Sequence, residues 1–121
     1  MKVIVTGGLG FIGSHTVHSL VQHGYEPIII DNLCNSQLSV LTRLQELCNR
    51  EIRFYNLDIR SELDLEKVFL ENKGIEAILH FAALKSVSES LEIPISYYET
   101  NISGLINICK LAEPFKVRKF I

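Results

Sequence analysis

Thr6-Gly7-Gly8-Leu9-Gly10-Phe11-Ile12-Gly13-Ser14, together with the run Val3-Ile4-Val5 before it, decides the fold of this chain. The run is β-branched and continuous, which suits a strand covered on both faces in a parallel sheet. The glycines after it open a helix. Gly7 permits the tight turn off the strand, Gly10 carries no side chain where backbone must approach a pyrophosphate, and Gly13 lets the helix pack close to the sheet. The free N–H groups and the positive dipole end of such a helix hold phosphates. Glycines also serve ordinary turns, so this reading needs an acidic residue about 20 positions on. Asp31 is there, closing the second apolar run Pro27-Ile28-Ile29-Ile30. Its carboxylate can accept hydrogen bonds from adenosine ribose hydroxyls, and no Arg comes after it to receive a 2′-phosphate, which favours NAD over NADP.

Beyond Asp31, apolar runs alternate with helical patterns. A first helix is expected from Ile12 to His23, burying Val17, Leu20 and Val21 and stopping at Gly24. The polar loop Asn32-Leu33-Cys34-Asn35-Ser36 leads into a helical pattern through Leu41, Leu44 and Leu47. A third strand reads Ile52 to Asn56. Ser61-Glu62-Leu63-Asp64 resembles a helix start, with Leu65, Val68 and Phe69 as the buried face. The fourth strand reads Ala77 to Phe81. Pro94 suits a first helical turn, and Ile95, Tyr98, Ile102, Leu105, Cys109 and Ala112 come after it at helical spacing. Val117 to Ile121 reads as a fifth strand. This β-α-β alternation with right-handed crossovers predicts an α/β fold, a Rossmann-type doubly wound parallel sheet of about five strands in the order 3-2-1-4-5. Ligands of such sheets bind beyond the carboxyl ends of the strands, at the switch point between strands one and four.

Composition narrows the function. The 121 residues are about one domain, and 47% are hydrophobic, enough to build a core. Twelve basic residues against 14 acidic leave no polycationic face, so neither nucleic acid nor an anionic membrane is expected as main partner. Cys34, Cys48 and Cys109 are odd in number and show no Cys-x-x-Cys spacing, so no metal site or disulfide framework is expected, and a reducing cytoplasm fits. No signal-type segment or membrane-length apolar run is present. His15, His18 and His23 read as surface or packing residues, and His80 as a satisfied histidine within a buried strand.

Four segments carry a specific resemblance: Thr6 to His15, Asp31 to Ser36, Asp58-Ile59-Arg60 and His80 to Lys85. Together they resemble the UDP-glucose 4-epimerases, extended short-chain dehydrogenases/reductases of galactose and nucleotide-sugar metabolism. The resemblance runs through all 121 residues, which correspond to about the first third of a typical member. It implies an NAD-binding Rossmann domain over residues 1–121. Phe11 and Ile12 would present N–H groups to the pyrophosphate, and Asp31, Asn32, Asn35 and Ser36 would bind the adenosine ribose and phosphate side. Asp58 and Ile59 would flank the adenine. Phe81, Ala82, Ala83 and Lys85 would line the middle of the cofactor and its nicotinamide ribose. Asn101 matches a family position on the cofactor side. Simpler alternatives stand beside three of these: Asp58 as a turn acid, Lys85 as a solvated loop lysine, Asn101 as a helix-surface residue. Ser88 and Thr100 depart from the Gly and Asn common at their places in the family.

The resemblance also implies what the chemistry requires. The family moves a hydride from C4 of a UDP-sugar to NAD and back, using a base from a Tyr-x-x-x-Lys pair whose lysine lowers the tyrosine pKa. Tyr25, Tyr55, Tyr97 and Tyr98 all lack a Lys four residues on. The chain is therefore expected to be the cofactor portion of an epimerase, truncated before the catalytic pair and inactive alone. Two alternatives remain: the cofactor half of a nucleotide-sugar dehydratase, or a non-catalytic nucleotide-binding or assembly module. An edge strand and uncovered faces predict a homo-oligomer, and in the family the helix near Pro94 joins a dimer interface.

Overall fold

Two clusters of branched aliphatic side chains, one on each face of a five-stranded parallel sheet, organise the chain, all of whose residues 1–121 are described by a computed structural model. The elements run β1 (Lys2–Thr6), α1 (Phe11–Gln22), β2 (Glu26–Asp31), α2 (Leu38–Cys48), β3 (Arg53–Asn56), α3 (Glu62–Glu71) and β4 (Ile75–His80). Then come α4 (Val87–Glu92), α5 (Pro94–Tyr98), a π-helical turn at Glu99–Ser103, α6 (Gly104–Ala112) and β5 (Lys119–Phe120). The strand order is β3-β2-β1-β4-β5, as the alternation predicts.

The two-residue period of a strand sorts the aliphatic runs between the two faces. Ile4, Ile28, Ile30 and Ile78 point to the side where Leu65, Val68 and Phe69 of α3 and Ile108 and Leu111 of α6 cover them. Val3, Val5, Ile29 and Ala77 point to the other, under Val17 of α1 and Leu44 of α2. The inner runs Val3 to Val5, Pro27 to Ile30 and Ala77 to Leu79 are therefore continuously apolar because both faces of the sheet are roofed by helices.

Several helical faces differ in detail from the sequence reading. In α2, Leu41 and Leu44 pack inward but Leu47 is 70% exposed, and Cys48 takes its place, the i+4 partner of Leu44. Ser61 does precede α3, yet its hydroxyl donates to Asp64 Oδ2 at 2.7 Å and accepts no backbone N–H. The long apolar stripe after Pro94 is not the buried one. Gly104, Ile108 and Leu111 face the core, whereas Ile95, Tyr98, Ile102 and Ile106 lie open to solvent. The π turn at Glu99–Ser103 adds a residue to the helical repeat and rotates α6 relative to α5. The last strand is only Lys119–Phe120, although Ile121 extends it by receiving the His80 N–H and donating to the Ile78 carbonyl. No helix is long and apolar enough to cross a membrane.

β1 is in register with both neighbours at its carboxyl end, Thr6 lying beside Ile30 of β2 and His80 of β4. The loops after β1, β2 and β4 consequently emerge side by side.

Candidate functional site

Gly7 leaves β1 with φ +65°, a conformation that disfavours side chains, and a Cβ there would sit 2.7 Å from the Ala82 nitrogen. The loop after β1 and the loop after β4 are thus in contact at the point where the strand order reverses. Gly13 closes the turn from the other side: its own Cβ would collide with the Gly7 carbonyl and lie 2.8 Å from Gly8 Cα. Gly10 differs, because a Cβ there meets only the Gly7 oxygen, at 3.2 Å. The first intrahelical bond of α1 runs from the Ser14 N–H to the Gly10 carbonyl. The N–H groups of Phe11, Ile12 and Gly13 therefore have no intrahelical acceptor and carry the positive end of the helix dipole. Around them opens a cavity of about 640 Å³, within the range of small-molecule sites.

Asp31, 8% exposed, joins two loops. Its Oδ2 accepts the Leu9 N–H at 3.0 Å, and its Oδ1 accepts the Leu33 N–H at 3.0 Å and the Ser36 hydroxyl at 2.7 Å. The bond to Leu33 holds that residue at φ +60°, a strained conformation for leucine. A carboxylate offers about four lone-pair sites, so Asp31 keeps acceptor capacity for one more donor and gains another if Ser36 turns away. Asn32 shapes the same loop by receiving the Cys34 N–H at 3.1 Å and donating to Asp58 Oδ2 at 3.2 Å, whereas Asn35 is exposed.

Fourteen of the sixteen expected site residues line this cavity. Gly7, Gly10, Phe11, Ile12 and Gly13 form one wall. Asp31, Asn32, Asn35 and Ser36 form a second, and Ile59 with Phe81, Ala82, Ala83 and Lys85 a third. Asp58 and Asn101 are not among the lining residues. The carboxylate of Asp58 is taken by Arg60, whose Nε and Nη2 reach its two oxygens at 3.0 and 2.8 Å, and the adjacent apolar surface comes from Leu57 and Ile59. Asn101 spends both ends of its amide on the backbone of Leu84. Ile30, Cys34, Leu57, Leu84, Ser86, Glu89 and Thr100 also line the cavity. The signal for Leu57 was present in the sequence: it is the first residue beyond β3, at the carboxyl edge where such sites lie.

The Arg60 fork is the largest cause holding the Asp58 carboxyl at about 2, below its ordinary 3.8. A carboxyl depressed on folding stabilises the fold above its unfolded value and loses that contribution as pH falls through the folded one. Asp58→Asn is accordingly expected to cost about 1 kcal/mol at neutral pH, Arg60 being exposed to screening solvent. In calorimetry its midpoint should converge on that of the unsubstituted chain as pH drops from 3.8 toward 2; a constant gap would exclude the ion pair as its cause.

His80 faces Thr6, with Nδ1 and Oγ1 2.7 Å apart, and burial pushes the imidazole pKa down, so it is neutral at pH 7. Thr6 Oγ1 also accepts the Ala82 N–H at 3.2 Å. Thr6 thus ties β1 both to His80 of β4 and to the start of the cavity's third wall. His15 and His23 are exposed on and beyond α1, each with Nδ1 2.8 Å from a carbonyl one turn earlier.

Residues 3–121 match a family model described as the NAD dependent epimerase/dehydratase family. A UDP-glucose 4-epimerase of Schizosaccharomyces pombe is 45% identical over 119 residues, which are 98% of this chain and 33% of that protein. The UDP-glucose 4-epimerase of Bacillus subtilis is 42% identical over 121 residues, 100% of this chain and 35% of the relative. Among solved structures, UDP-glucose 4-epimerase from Bifidobacterium longum in complex with NAD+ and UDP superposes with a TM-score of 0.94 at 38% identity, covering 99% of this chain and 36% of that one. The chain spans about a third of the length of the curated relatives it matches.

Proposed function

Because the chain belongs to the NAD dependent epimerase/dehydratase family, we propose that its cavity is an NAD site and that these residues are the cofactor-binding part of a UDP-glucose 4-epimerase. The observation that carries the cofactor reading is the cradle at Gly10. It combines three N–H groups without intrahelical acceptors, a helix dipole behind them, and no side chain in front. The diphosphate belongs there, with Lys85 of the facing loop offsetting its charge. Asp31 accepts the ribose hydroxyls, Ser36 yielding its bond, while Leu57 and Ile59 offer apolar surface to the adenine. The epimerase reading, as against a dehydratase, is supported by the relatives that share the whole of this sequence at 42% identity or more.

NAD, when bound, supplies a hydride acceptor and donor for a sugar carbon. The residues of this chain bind and orient it, but they include no Tyr-x-x-x-Lys pair to take the sugar's hydroxyl proton. Cytoplasmic location remains the reading of the free cysteines.

The experiment is thermal unfolding of the purified chain against rising NAD. A ligand that binds only the folded state must raise the midpoint. A saturable rise is expected with NAD and none with NADP, whose 2′-phosphate would meet the Asp31 carboxylate. UDP-galactose added to the NAD-loaded chain should be recovered unchanged. No rise with NAD would sink the cofactor reading.

A second copy of this chain is the partner we propose for the open stripe Ile95, Tyr98, Ile102 and Ile106, since large apolar side chains grouped on an exposed face mark interaction sites. Sedimentation should show a dimer at micromolar concentration that Ile102→Glu dissociates. A monomer throughout that range would count against the stripe as an interface.

A further inference from the structure

The segment Phe81 to Ser86 belongs to no helix or strand, yet it is one wall of the cavity. Its backbone is held at alternate residues by side chains. Ala82 donates to Thr6 Oγ1 at 3.2 Å. Leu84 donates its N–H to Asn101 Oδ1 at 2.8 Å and accepts Asn101 Nδ2 on its carbonyl at 2.8 Å. Ser86 donates its N–H to the Tyr97 hydroxyl at 2.9 Å, and the same hydroxyl lies 2.8 Å from the Ser86 carbonyl and 2.7 Å from Glu89 Oε2. The residues between them, Ala83 and Lys85, find no backbone partner in the protein, and Lys85 forms no ion pair.

This is the bonding pattern of an edge strand. In extended chain, the N–H and C=O of one residue point to one side and those of the next residue to the other. Two positions along a strand advance about 6.6 Å and four along a helix about 6 Å, so residues 97 and 101 match the spacing of residues 84 and 86. The two side chains stand where a neighbouring strand would be. Pinning Leu84 and Ser86 toward the helix turns the main-chain groups of Ala83 and Lys85 the other way, toward the cavity.

We propose that Tyr97 and Asn101 are positioning residues which hold Leu84 to Ser86 extended, and so present the Lys85 side chain to the cofactor. The proposal rests on the NAD reading given above for its consequence, though not for its geometry. Neither residue touches the ligand. Both act through the loop, and Glu89 serves to fix the Tyr97 hydroxyl.

The test has two arms. Amide exchange of the ligand-free chain, monitored by NMR, should find Leu84 and Ser86 protected although they lie outside regular structure. Tyr97→Phe should release Ser86 alone and Asn101→Ala should release Leu84 alone, with the β4 amides unchanged. In NAD titrations each substitution should weaken binding about tenfold, and in a Lys85→Ala background neither should weaken it further, since coupled residues are not additive. A merely structural role would not make these effects vanish when Lys85 is removed. Fast exchange of both amides in the unsubstituted chain overturns the proposal, as do effects that multiply fully with Lys85→Ala. If the amides are protected and released as expected but the unsubstituted chain binds no NAD, the cofactor reading fails and the clamp stands.

Discussion

Gly13→Ala is expected to destabilise the chain by about 3 kcal/mol, a thermal midpoint lower by roughly 10 °C or more. The added Cβ would collide with the Gly7 carbonyl and lie 2.8 Å from Gly8 Cα. Both neighbours are backbone, so no rotamer change relieves the contact. Either α1 must lift from the sheet, uncovering Val17 from Val3, Val5 and Ile29, or the turn after β1 must open and separate Gly7 from Ala82. Gly24→Ala is the control. Gly24 has φ +77° but nothing within 4 Å of its Cβ, so that substitution carries only left-handed backbone strain of about 1 kcal/mol. A Gly13→Ala midpoint no lower than the Gly24→Ala one would mean that the close approach of helix and turn does not fix α1.

The contrast between these glycines shows where sequence was informative. Strand order, the crossovers and the faces of α1 and α3 came from periodicity, because Val3 to Val5, Ile28 to Ile30 and Ala77 to Leu79 can be buried only between two helical layers. The glycine spacing likewise placed the loops at the carboxyl end of β1. The features that escaped were set by contacts, near or remote in the chain, that residue spacing does not reveal. The stripe beginning at Ile95 was sound as a pattern, but an apolar stripe does not say whether it faces the core, and the π turn at Glu99–Ser103 redirected the chain so that Ile108 and Leu111 face inward.

Polar side chains were harder to place than apolar ones, for a related reason. A buried aliphatic group needs only to be covered, whereas an amide or carboxylate is committed by whichever donor or acceptor reaches it first. Asp58 is committed by Arg60, two residues away. Asn101 is committed by Leu84, across the cavity wall. Asp31 was correctly placed at the end of β2, yet its bonds to Leu9, Leu33 and Ser36 could not be read from spacing. Asp31 therefore has a structural role beside the one proposed for it, and its replacement would test both at once.

Gly10→Ala separates these roles where Asp31 cannot. Gly10 has φ −71° and ψ 175°, an extended conformation open to any residue, so alanine there brings no backbone strain. Its Cβ would meet only the Gly7 oxygen, at 3.2 Å, a contact that a shift of a few tenths of an ångström relieves. The fold should lose less than about 1 kcal/mol. The methyl group would nonetheless stand in front of the N–H groups of Phe11, Ile12 and Gly13, where the diphosphate is proposed to lie. Two charge-assisted hydrogen bonds lost there, at about 1.5–3 kcal/mol each, weaken NAD about a hundredfold or more. The expected result is a ligand-free midpoint close to that of the unsubstituted chain, combined with loss of the NAD-dependent rise. If the variant still shows the full rise, the phosphates do not sit against the start of α1 and the cofactor enters the cavity by another geometry. If the ligand-free midpoint falls as far as in Gly13→Ala, then Gly10 is a packing glycine like its neighbour, and the cradle that carries the proposed function is an accident of how the turn closes.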